Sequence, residues 1–418
     1  MGQRGDELLG LARQLAPLMG RRSEESLLLA KAQGCRVFDA DSIAYIDLVG
    51  GGGTNLLGYG NQYVLDAVRR ASTLGLAAGF HCTAELELTE LLAELLPAFS
   101  PLVLTASEVA AWELALRWCR RDTGRARLVV FEGNRRGAVE SFHVGTAGPV
   151  GISQPLLTGI PAEQARSVRV TPWGNNEAFE SVMAEFGVDT AAVVLDPISS
   201  QFGVVPPKKE FLDLVARRTR EVGARLVLDE TLTGFRLARG GAAELFGLQP
   251  DVIVTGGVLG GGVAHLAAVS WARTLAATPG DELASAPSPI AVQAAIATLS
   301  VLRNDAVHQR LEERGAQLQA GVEALAERFG RPLRCSRLGS LFSLAFSRQP
   351  VVDGNSNARA DLETWTRFVR YVREAGALLP LRPPILCFLS HAHGVKDVEQ
   401  ILAAMETALK RMQKEDEA

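Results

Sequence analysis

Between about residues 105 and 266, short apolar runs alternate with segments of helical periodicity, and this alternation constrains the fold more than any other feature of the chain. Four of the runs are Leu128–Phe131, Ala192–Leu195, Arg225–Leu228 and Val252–Val254. Strands that are separated by helices pair in parallel, because each helix carries the chain back to the edge at which the previous strand began. The sequence therefore predicts an α/β domain in which a mostly parallel sheet lies between helices.

The segments on either side of this region predict a second, smaller α+β domain. Helical patterns run from Glu7 to Met19 and from about Gln62 to Ala71, and a hairpin pattern runs from Arg36 to Leu48. Later in the chain, a helix is predicted from Val307 to Phe329 and a closing helix from Asp397 to Lys414. We therefore divide the chain into an N-terminal segment of the small domain (1–70), a large domain (71–304) and a C-terminal small domain (305–418).

Composition and charge exclude several classes of partner. Hydrophobic residues make up 47% and charged residues 22% of the chain, as in ordinary globular proteins. The net charge of −4 and the absence of a basic cluster argue against binding to nucleic acid or to an anionic membrane surface. The sequence shows no membrane-spanning run and no signal-peptide pattern, so we expect a cytoplasmic protein. Its five cysteines lack metal-binding spacing, and we predict no metal site.

Two segments near the end of the large domain resemble the cofactor-binding core of class III aminotransferases. Residues 226–236 read Leu-Val-Leu-Asp-Glu-Thr-Leu-Thr-Gly-Phe-Arg, and residues 250–262 read Pro-Asp-Val-Ile-Val-Thr-Gly-Gly-Val-Leu-Gly-Gly-Gly. The resemblance is strongest to the glutamate-1-semialdehyde aminomutase branch and extends from about Arg36 to Leu409. It implies the fold type I architecture of enzymes that use pyridoxal phosphate (PLP), with an active site at a homodimer interface. It also implies that Asp229 is the aspartate that pairs with the pyridinium nitrogen.

The chain has Gly257 where the resemblance leads us to expect a lysine. In the family, that lysine follows the threonine-glycine step and forms the Schiff base that holds PLP. The chain contains only six lysines, and none of them lies between Lys209 and Lys396. We therefore expect that PLP cannot be attached covalently and that conventional transamination or aminomutase chemistry does not occur.

The turn that cradles the phosphate in the family is also altered. The family's Ser-Gly-Thr corresponds to Ser107, Glu108 and Val109, so one hydroxyl is lost and a carboxylate is gained. At about 4 Å, two unit charges repel by roughly 1 to 4 kcal/mol in partly solvated surroundings. Glu108 therefore argues against a bound phosphate, although it also fits as a favourable acid at a helix N-terminus. We keep Ser107 as a candidate binding residue.

A third element, Phe131–Gly137, resembles the family's Phe-Glu-Gly-x-Tyr-His-Gly, whose aromatic residue stacks on the pyridine ring. The tyrosine-histidine pair is replaced by Arg135 and Arg136. Two arginines together are suited to binding a carboxylate or phosphate, or they are solvated surface residues. Further along, Ala284 replaces a hydroxyl residue that the partner subunit supplies, and Ile385 replaces a substrate-contacting glutamate of the aminomutases.

Two more residues are candidates for proton transfer. Asp229 is predicted at the carboxyl end of a buried strand, where it serves as a general base or instead caps the following loop. His265 follows the glycine-rich segment after Gly257 and is a candidate proton shuttle, or it is a packed histidine without a functional role.

Three hypotheses follow. In the first, the chain is an aminotransferase-fold enzyme repurposed for a cyclisation, isomerisation, dehydration or condensation in specialised biosynthesis, with no cofactor. Asp229, Glu108 and His265 would move protons, while Ser107, Arg135 and Arg136 would bind a small anionic substrate. In the second, the enzyme holds pyridoxamine phosphate (PMP) or PLP non-covalently against Asp229. In the third, the chain is a non-catalytic partner or regulator of a true aminotransferase. The resemblance to the family implies a homodimer.

Overall fold

The structure is a computed structural model that describes residues 7–8, 10, 27–74, 82–134, 139–146, 153–275 and 286–417. The predicted helix from Glu7 to Met19 therefore lies largely outside the described residues. No single described helix is long and apolar enough to span a membrane, and the helices Pro289–Leu302 and Asp305–Arg328 meet that test only as a pair bent by 75°.

The described helices are α1 (Gln62–Thr73), α2 (Thr83–Leu95), α3 (Glu108–Thr123), α4 (Ala162–Arg166), α5 (Asn176–Phe186), α6 (Lys209–Glu221), α7 (Gly241–Phe246), α8 (Pro289–Leu302), α9 (Asp305–Arg328), α10 (Gly354–Ala358), α11 (Leu362–Glu374) and α12 (Val395–Asp416). The described strands are β1 (Leu29–Gln33), β2 (Arg36–Asp39), β3 (Ala44–Asp47), β4 (Phe99–Thr105), β5 (Arg127–Phe131), β6 (Val144–Thr146), β7 (Ser153–Pro155), β8 (Val168–Thr171), β9 (Thr190–Leu195), β10 (Arg225–Glu230), β11 (Val252–Thr255), β12 (Ala267–Ala272), β13 (Leu333–Leu338), β14 (Leu341–Phe346), β15 (Ala377–Leu378) and β16 (Cys387–Phe388).

The largest sheet has seven strands in the order β4-β12-β11-β10-β9-β5-β8. All of its strands run in the same direction except β12, which is antiparallel to both of its neighbours. The predicted mostly parallel sheet is therefore confirmed, and each of the four apolar runs that predicted it lies within a strand of this sheet.

Helices cover both faces of this sheet, which explains why its strands read as continuous apolar runs. Successive side chains on a strand point to opposite faces. Val227 packs with Trp112 of α3 on one face. Its neighbour Leu228 packs on the other face, in a cluster that includes Phe211 of α6 and Leu299 of α8. The core of the large sheet is thus two layers of side chains.

The N-terminal hairpin pairs with a strand from the far end of the chain. β1, β2 and β3 form an antiparallel sheet to which β15 adds in parallel, with Ala377 opposite Ile46. A separate apolar cluster joins this sheet to α9, α11 and α12 and to the small sheet β13-β14-β16. The division of the chain at residues 70 and 304 stays a prediction.

The carboxyl ends of the parallel strands meet at one edge of the large sheet, and this edge positions the candidate site. Asp229 lies near the end of β10, and Gly257 comes two residues after β11. Ser107 comes two residues after β4, where α3 begins. In open sheets of this kind, ligands bind at this edge.

Candidate active site

A cavity of about 470 Å³ opens at the carboxyl edge of the large sheet. The start of α3 lines one side, and the segments after β10 and β11 line another. Three residues that the sequence singled out, Ser107, Glu108 and His265, line this one cavity together with Gly257. The loop of Gly52, Gly53 and Thr54 completes the lining from the N-terminal part of the chain.

Ser107 is the N-cap of helix α3. Its hydroxyl accepts a hydrogen bond from the backbone N–H of Ala110 at 3.2 Å, which satisfies one of the free N–H groups of the first turn. The backbone carbonyl of Ser107 accepts a hydrogen bond from the Thr105 hydroxyl at 2.9 Å, so the start of the helix is fixed to the end of β4. The N-terminus of a sixteen-residue helix therefore faces the cavity, and such an end attracts anions.

Glu108, the first residue of α3, directs its carboxylate toward the neighbouring segment after β11. Its Oε1 atom accepts a hydrogen bond from the backbone N–H of Gly257 at 2.7 Å. This N–H begins a short 3₁₀ turn, Gly257–Gly260, and the first N–H groups of such a turn have no acceptor within it. Glu108 thus joins the start of α3 to the segment after β11.

Gly257 has a backbone conformation that favours glycine. Its φ angle is +48°, in the left-handed region that side chains disfavour. A Cβ atom at this position would also overlap the backbone carbonyl oxygen of Thr231. All six lysines of the chain lie within the described residues, and none of them lines the cavity. The position expected to carry the family's lysine therefore has neither a lysine nor room for one in this conformation.

Asp229 is 1% exposed and lies directly behind the cavity wall. Its Oδ1 atom accepts hydrogen bonds from the backbone N–H of Thr231 at 3.0 Å and from the Thr231 hydroxyl at 2.6 Å. Asp229 therefore does cap the turn after β10, which was one of the two roles that the sequence allowed. Thr231 itself lines the cavity and stands between Asp229 and the glycine at position 257.

The glycine loop is held by a buried arginine at the end of the resembling segment. The Arg236 guanidinium is 2% exposed and donates hydrogen bonds to the backbone carbonyls of Gly53 and Leu232. Burial lowers the pKa of Arg236 to about 9. Gly53 has a φ of +93°, and a Cβ there would lie 2.7 Å from the ring of Phe388, so the loop requires glycine at this point.

The remaining residues that the sequence analysis singled out differ in whether and where the structure describes them. His265 lines the cavity and is exposed. Arg135 and Arg136 lie outside the described residues, as does Ala284, so their roles stay predictions. Ile385 is 9% exposed and packs in the apolar cluster of the C-terminal region.

Sequence reasoning missed several polar residues at this edge. Thr231 was not singled out, because its contact with Asp229 depends on the geometry of the turn. Asn134 and Ser199, which follow β5 and β9, are each 4% exposed, and their side chains have no hydrogen-bond partner among the described residues. A buried polar group without a partner costs about 1 to 3 kcal/mol, so these side chains are further candidates for ligand contacts. The run of four glycines before Thr54 was the one available signal for the loop.

Comparisons with known proteins agree over nearly the whole chain. The family model for class III aminotransferases matches residues 19–409. A glutamate-1-semialdehyde 2,1-aminomutase of Sorangium cellulosum is 36% identical over 401 residues, which cover 92% of this chain and 89% of the relative. The corresponding protein of Persephonella marina is 32% identical over 404 residues, covering 93% and 92%.

Solved structures share the fold at lower identity. A transaminase with PLP bound superposes with a TM-score of 0.89 at 23% identity, with all of both chains covered. A lysine-to-alanine variant of a glutamate-1-semialdehyde aminomutase from Pseudomonas aeruginosa, in complex with PMP, gives a TM-score of 0.82 at 24% identity, covering 98% and 96%. The predicted fold type I aminotransferase-like architecture is therefore confirmed.

These comparisons contradict our expectation that no cofactor is bound. The chain matches the class III aminotransferase model and the aminomutase relatives over more than 90% of its length, and the similar structures include one with PLP and one with PMP, so a cofactor of the PLP type is expected. The expectation assumed that the charge of Glu108 would face a phosphate at the start of α3. The carboxylate instead accepts a hydrogen bond from the backbone N–H of Gly257, so part of its charge is compensated away from the helix end. The helix N-terminus keeps its attraction for an anion.

Proposed function

Because the chain belongs to the class III aminotransferase family, we propose that it is an enzyme that binds PMP or PLP without a covalent bond. Its reaction is acid/base chemistry on a small anionic substrate, in the range of cyclisation, isomerisation, dehydration and condensation. The observation that carries this proposal is the glycine at position 257, which lies in a family cofactor cavity but has no room for a side chain.

The residues at the two ends of the site fit a PLP-type cofactor. At one end, the N-terminus of α3 and Ser107 provide N–H groups and a positive helix dipole, which suit a phosphate. At the other end, the buried Asp229 carboxylate suits a protonated pyridine nitrogen. When bound, the cofactor supplies an electron sink for carbanions formed next to its amine or imine nitrogen.

The protein's own contribution is to hold the ligands and to move protons. Of the described residues that line the cavity, Glu108 and His265 are the two with side chains of the kind that serve as general acids or bases. We assign proton transfer to them, and Asp229 holds the cofactor ring. Arg135 and Arg136 would bind the substrate anion, as the sequence suggests.

Binding of PMP to the purified protein tests this proposal. We expect saturable binding in equilibrium dialysis. After incubation with PLP and reduction by borohydride, peptide mapping should find no PLP adduct on a residue that lines the cavity. Asp229→Ala should weaken PMP binding about 10- to 100-fold, because a charge-assisted hydrogen bond contributes about 1.5 to 3 kcal/mol. Asp229→Asn, which keeps the size of the side chain, should weaken it as well.

Asp213→Ala is the matched control. Asp213 is an exposed aspartate on α6 that pairs with Lys209, so its loss should leave PMP binding unchanged. Circular dichroism checks that each variant is folded. Absence of PMP binding by the unaltered protein, or a reduced PLP adduct mapped to a residue that lines the cavity, would overturn the proposal.

A further inference from the structure

Glu108 and the glycine pair Gly256-Gly257 contact each other at the place where the family's lysine is expected. We infer that Glu108 is a positioning residue that, with this glycine pair, keeps position 257 closed to any side chain. Covalent attachment of PLP therefore cannot be recovered by Gly257→Lys alone, and Glu108 must change as well. This inference rests on the proposed non-covalent binding of the cofactor.

The first support is steric and involves both glycines. A Cβ atom at Gly256 would lie 2.6 Å from Cγ and from Oε1 of Glu108, closer than side chains approach one another. A Cβ atom at Gly257 would overlap the backbone carbonyl of Thr231, at a φ of +48°. The Glu108 side chain thus fills the space beside the first glycine, while the segment after β10 fills the space beside the second.

The second support is the hydrogen bond that fixes this arrangement. The Gly257 N–H donates to the Glu108 carboxylate at 2.7 Å. Within the turn, the N–H of Leu259 donates to the carbonyl of Gly256 at 3.1 Å. Because Glu108 binds the first N–H, it holds the peptide between Gly256 and Gly257 in one orientation, and that orientation gives Gly257 its left-handed φ.

The third support is that Glu108 itself has little freedom. It is the first residue of α3, directly after the N-cap Ser107. The hydroxyl of Thr105 ties Ser107 to the end of β4 and also donates to the carbonyl of Ala267 on β12 at 3.3 Å. The carboxylate is therefore presented to the glycine pair by a helix start that the sheet holds in place.

These contacts explain why two differences from the family, the glutamate at position 108 and the glycine at position 257, occur together. A glutamate at position 108 requires glycine at position 256 and favours a left-handed residue at position 257. A lysine at position 257 would need a different peptide orientation, which the Glu108 hydrogen bond opposes. The cavity wall consequently carries a carboxylate in place of an amine, so the protein presents an acid where the family has a base.

Three variants with Gly257→Lys test the inference: one with Glu108 unchanged, one with Glu108→Gln and one with Glu108→Ala. Each is incubated with PLP, whose aldehyde condenses with a lysine amine with loss of water, and the C=N bond is then reduced by borohydride. Intact-protein mass and peptide mapping measure the adduct. We expect no adduct at position 257 for Gly257→Lys alone, and an adduct at that position when Glu108→Ala is added.

Glu108→Gln is the matched control, because it keeps the size and the accepting oxygen of the side chain but removes its charge. We expect little or no adduct with Gly257→Lys and Glu108→Gln. An adduct at position 257 with Gly257→Lys alone would overturn the inference. An adduct in the Glu108→Gln background equal to that in the Glu108→Ala background would also overturn it, since charge and not the held peptide would then decide attachment.

PMP binding by the unaltered protein separates this inference from the proposed function. If the unaltered protein binds no PMP, the proposed function fails. If it binds PMP but the variant with Gly257→Lys and Glu108→Ala forms no adduct, the present inference fails.

A stability measurement tests the steric part without any cofactor. Gly257→Ala should lower the urea midpoint more than Gly330→Ala does, because Gly330 has a similar φ of +59° but no atom within 4 Å of a built Cβ. The excess loss for Gly257→Ala should shrink in the Glu108→Ala background, where the peptide is free to turn. Equal decreases in the urea midpoint for Gly257→Ala and Gly330→Ala would contradict the inference that position 257 is closed to a side chain.

Discussion

Asp229 and Glu230, the last two residues of β10, make different contacts because successive side chains on a strand point to opposite sides. Asp229 bonds to Thr231 behind the cavity, whereas Glu230 accepts hydrogen bonds from the Thr233 hydroxyl and from the backbone N–H of Ala243 at 2.7 Å. Glu230 thereby joins the end of the strand to helix α7. It is 1% exposed, and burial raises its pKa from 4.5 to about 7.

This raised pKa predicts a pH-dependent contribution of Glu230 to stability. Between its unfolded and folded pKa values, the folded protein binds more protons than the unfolded chain, so this stability is present below about pH 4.5 and is lost as the pH rises through about 7. The difference in free energy of unfolding between the unaltered protein and Glu230→Gln should fall by up to about 3 kcal/mol over that interval. Urea unfolding at several pH values measures it, and a pH-independent difference would contradict the raised pKa.

At the residue scale, the sequence identified candidate site residues better than it predicted their contacts. Asp229, Glu108 and the glycine at position 257 were found by comparison with a motif. Their partners were not, because the bond from Glu108 to Gly257 joins residues that are 149 positions apart. The direction of the Glu108 carboxylate decides whether it repels a phosphate, and that direction depends on the position of β11 beside α3. The expectation that no cofactor binds was wrong because it assumed a different direction for the Glu108 carboxylate.

Helix α3 is the element that combines a structural and a binding role. Ser107 caps it, and the same helix end faces the cavity. Other helices of the large domain have similar caps that do not line the candidate active site, for example α5, where Asn175 accepts a hydrogen bond from the N–H of Ala178 at 3.0 Å. Substitutions at the two caps can therefore be compared to separate an effect on stability from an effect on PMP binding.

Ser107→Ala should lower the free energy of unfolding by about 1 kcal/mol, as expected for the loss of an N-cap. It should also weaken PMP binding, because a hydroxyl next to the phosphate is removed. Asn175→Ala should cost a similar amount of stability and leave PMP binding unchanged. Urea unfolding and equilibrium dialysis on both variants measure this, and equal binding by the two would exclude a binding role for Ser107.

Elements with a clear periodicity were predicted closely from the sequence. The predicted helix from Gln62 to Ala71 is α1, Gln62–Thr73, and the predicted closing helix lies within Val395–Asp416. These patterns are local, so the sequence contains them directly. The position of the glycine-rich loop after β3 has no such local pattern, because the side chain that holds it comes from Arg236 after β10.

At the scale of the whole molecule, Arg236 connects three distant parts of the chain. Its guanidinium binds Gly53 in the N-terminal loop, Leu232 after β10 and the hydroxyl of Ser340 before β14. It also lies 5.2 Å from the centre of the Phe388 ring. A single buried side chain thus contacts the N-terminal loop, the segment after β10 and the C-terminal part.

Arg236→Leu should lower the free energy of unfolding by at least about 2 kcal/mol, because each hydrogen bond to a charged group contributes about 1.5 to 3 kcal/mol. Arg239→Ala is the control, since Arg239 makes an exposed ion pair with Asp305 and its loss should cost less than about 1 kcal/mol. Urea unfolding of both variants measures the difference, and similar losses would show that the buried arginine does not connect these parts.

The sequence predicted the large sheet from its alternating pattern, but the pairing of β3 with β15 required the folded chain. Two residues of β15 give too short a pattern to recognise. The homodimer and the small anionic substrate remain predictions, because both depend on groups outside one chain.

The closed position at Gly257 also bears on how such a protein can evolve. Glycine and lysine codons differ at more than one base, and the single-base intermediates encode larger residues such as arginine or glutamate. Each intermediate would place a Cβ atom against the carbonyl of Thr231 while Glu108 still holds the peptide. A lineage that has acquired this turn therefore has no easy stepwise route back to a lysine, and its chemistry is free to diverge from transamination.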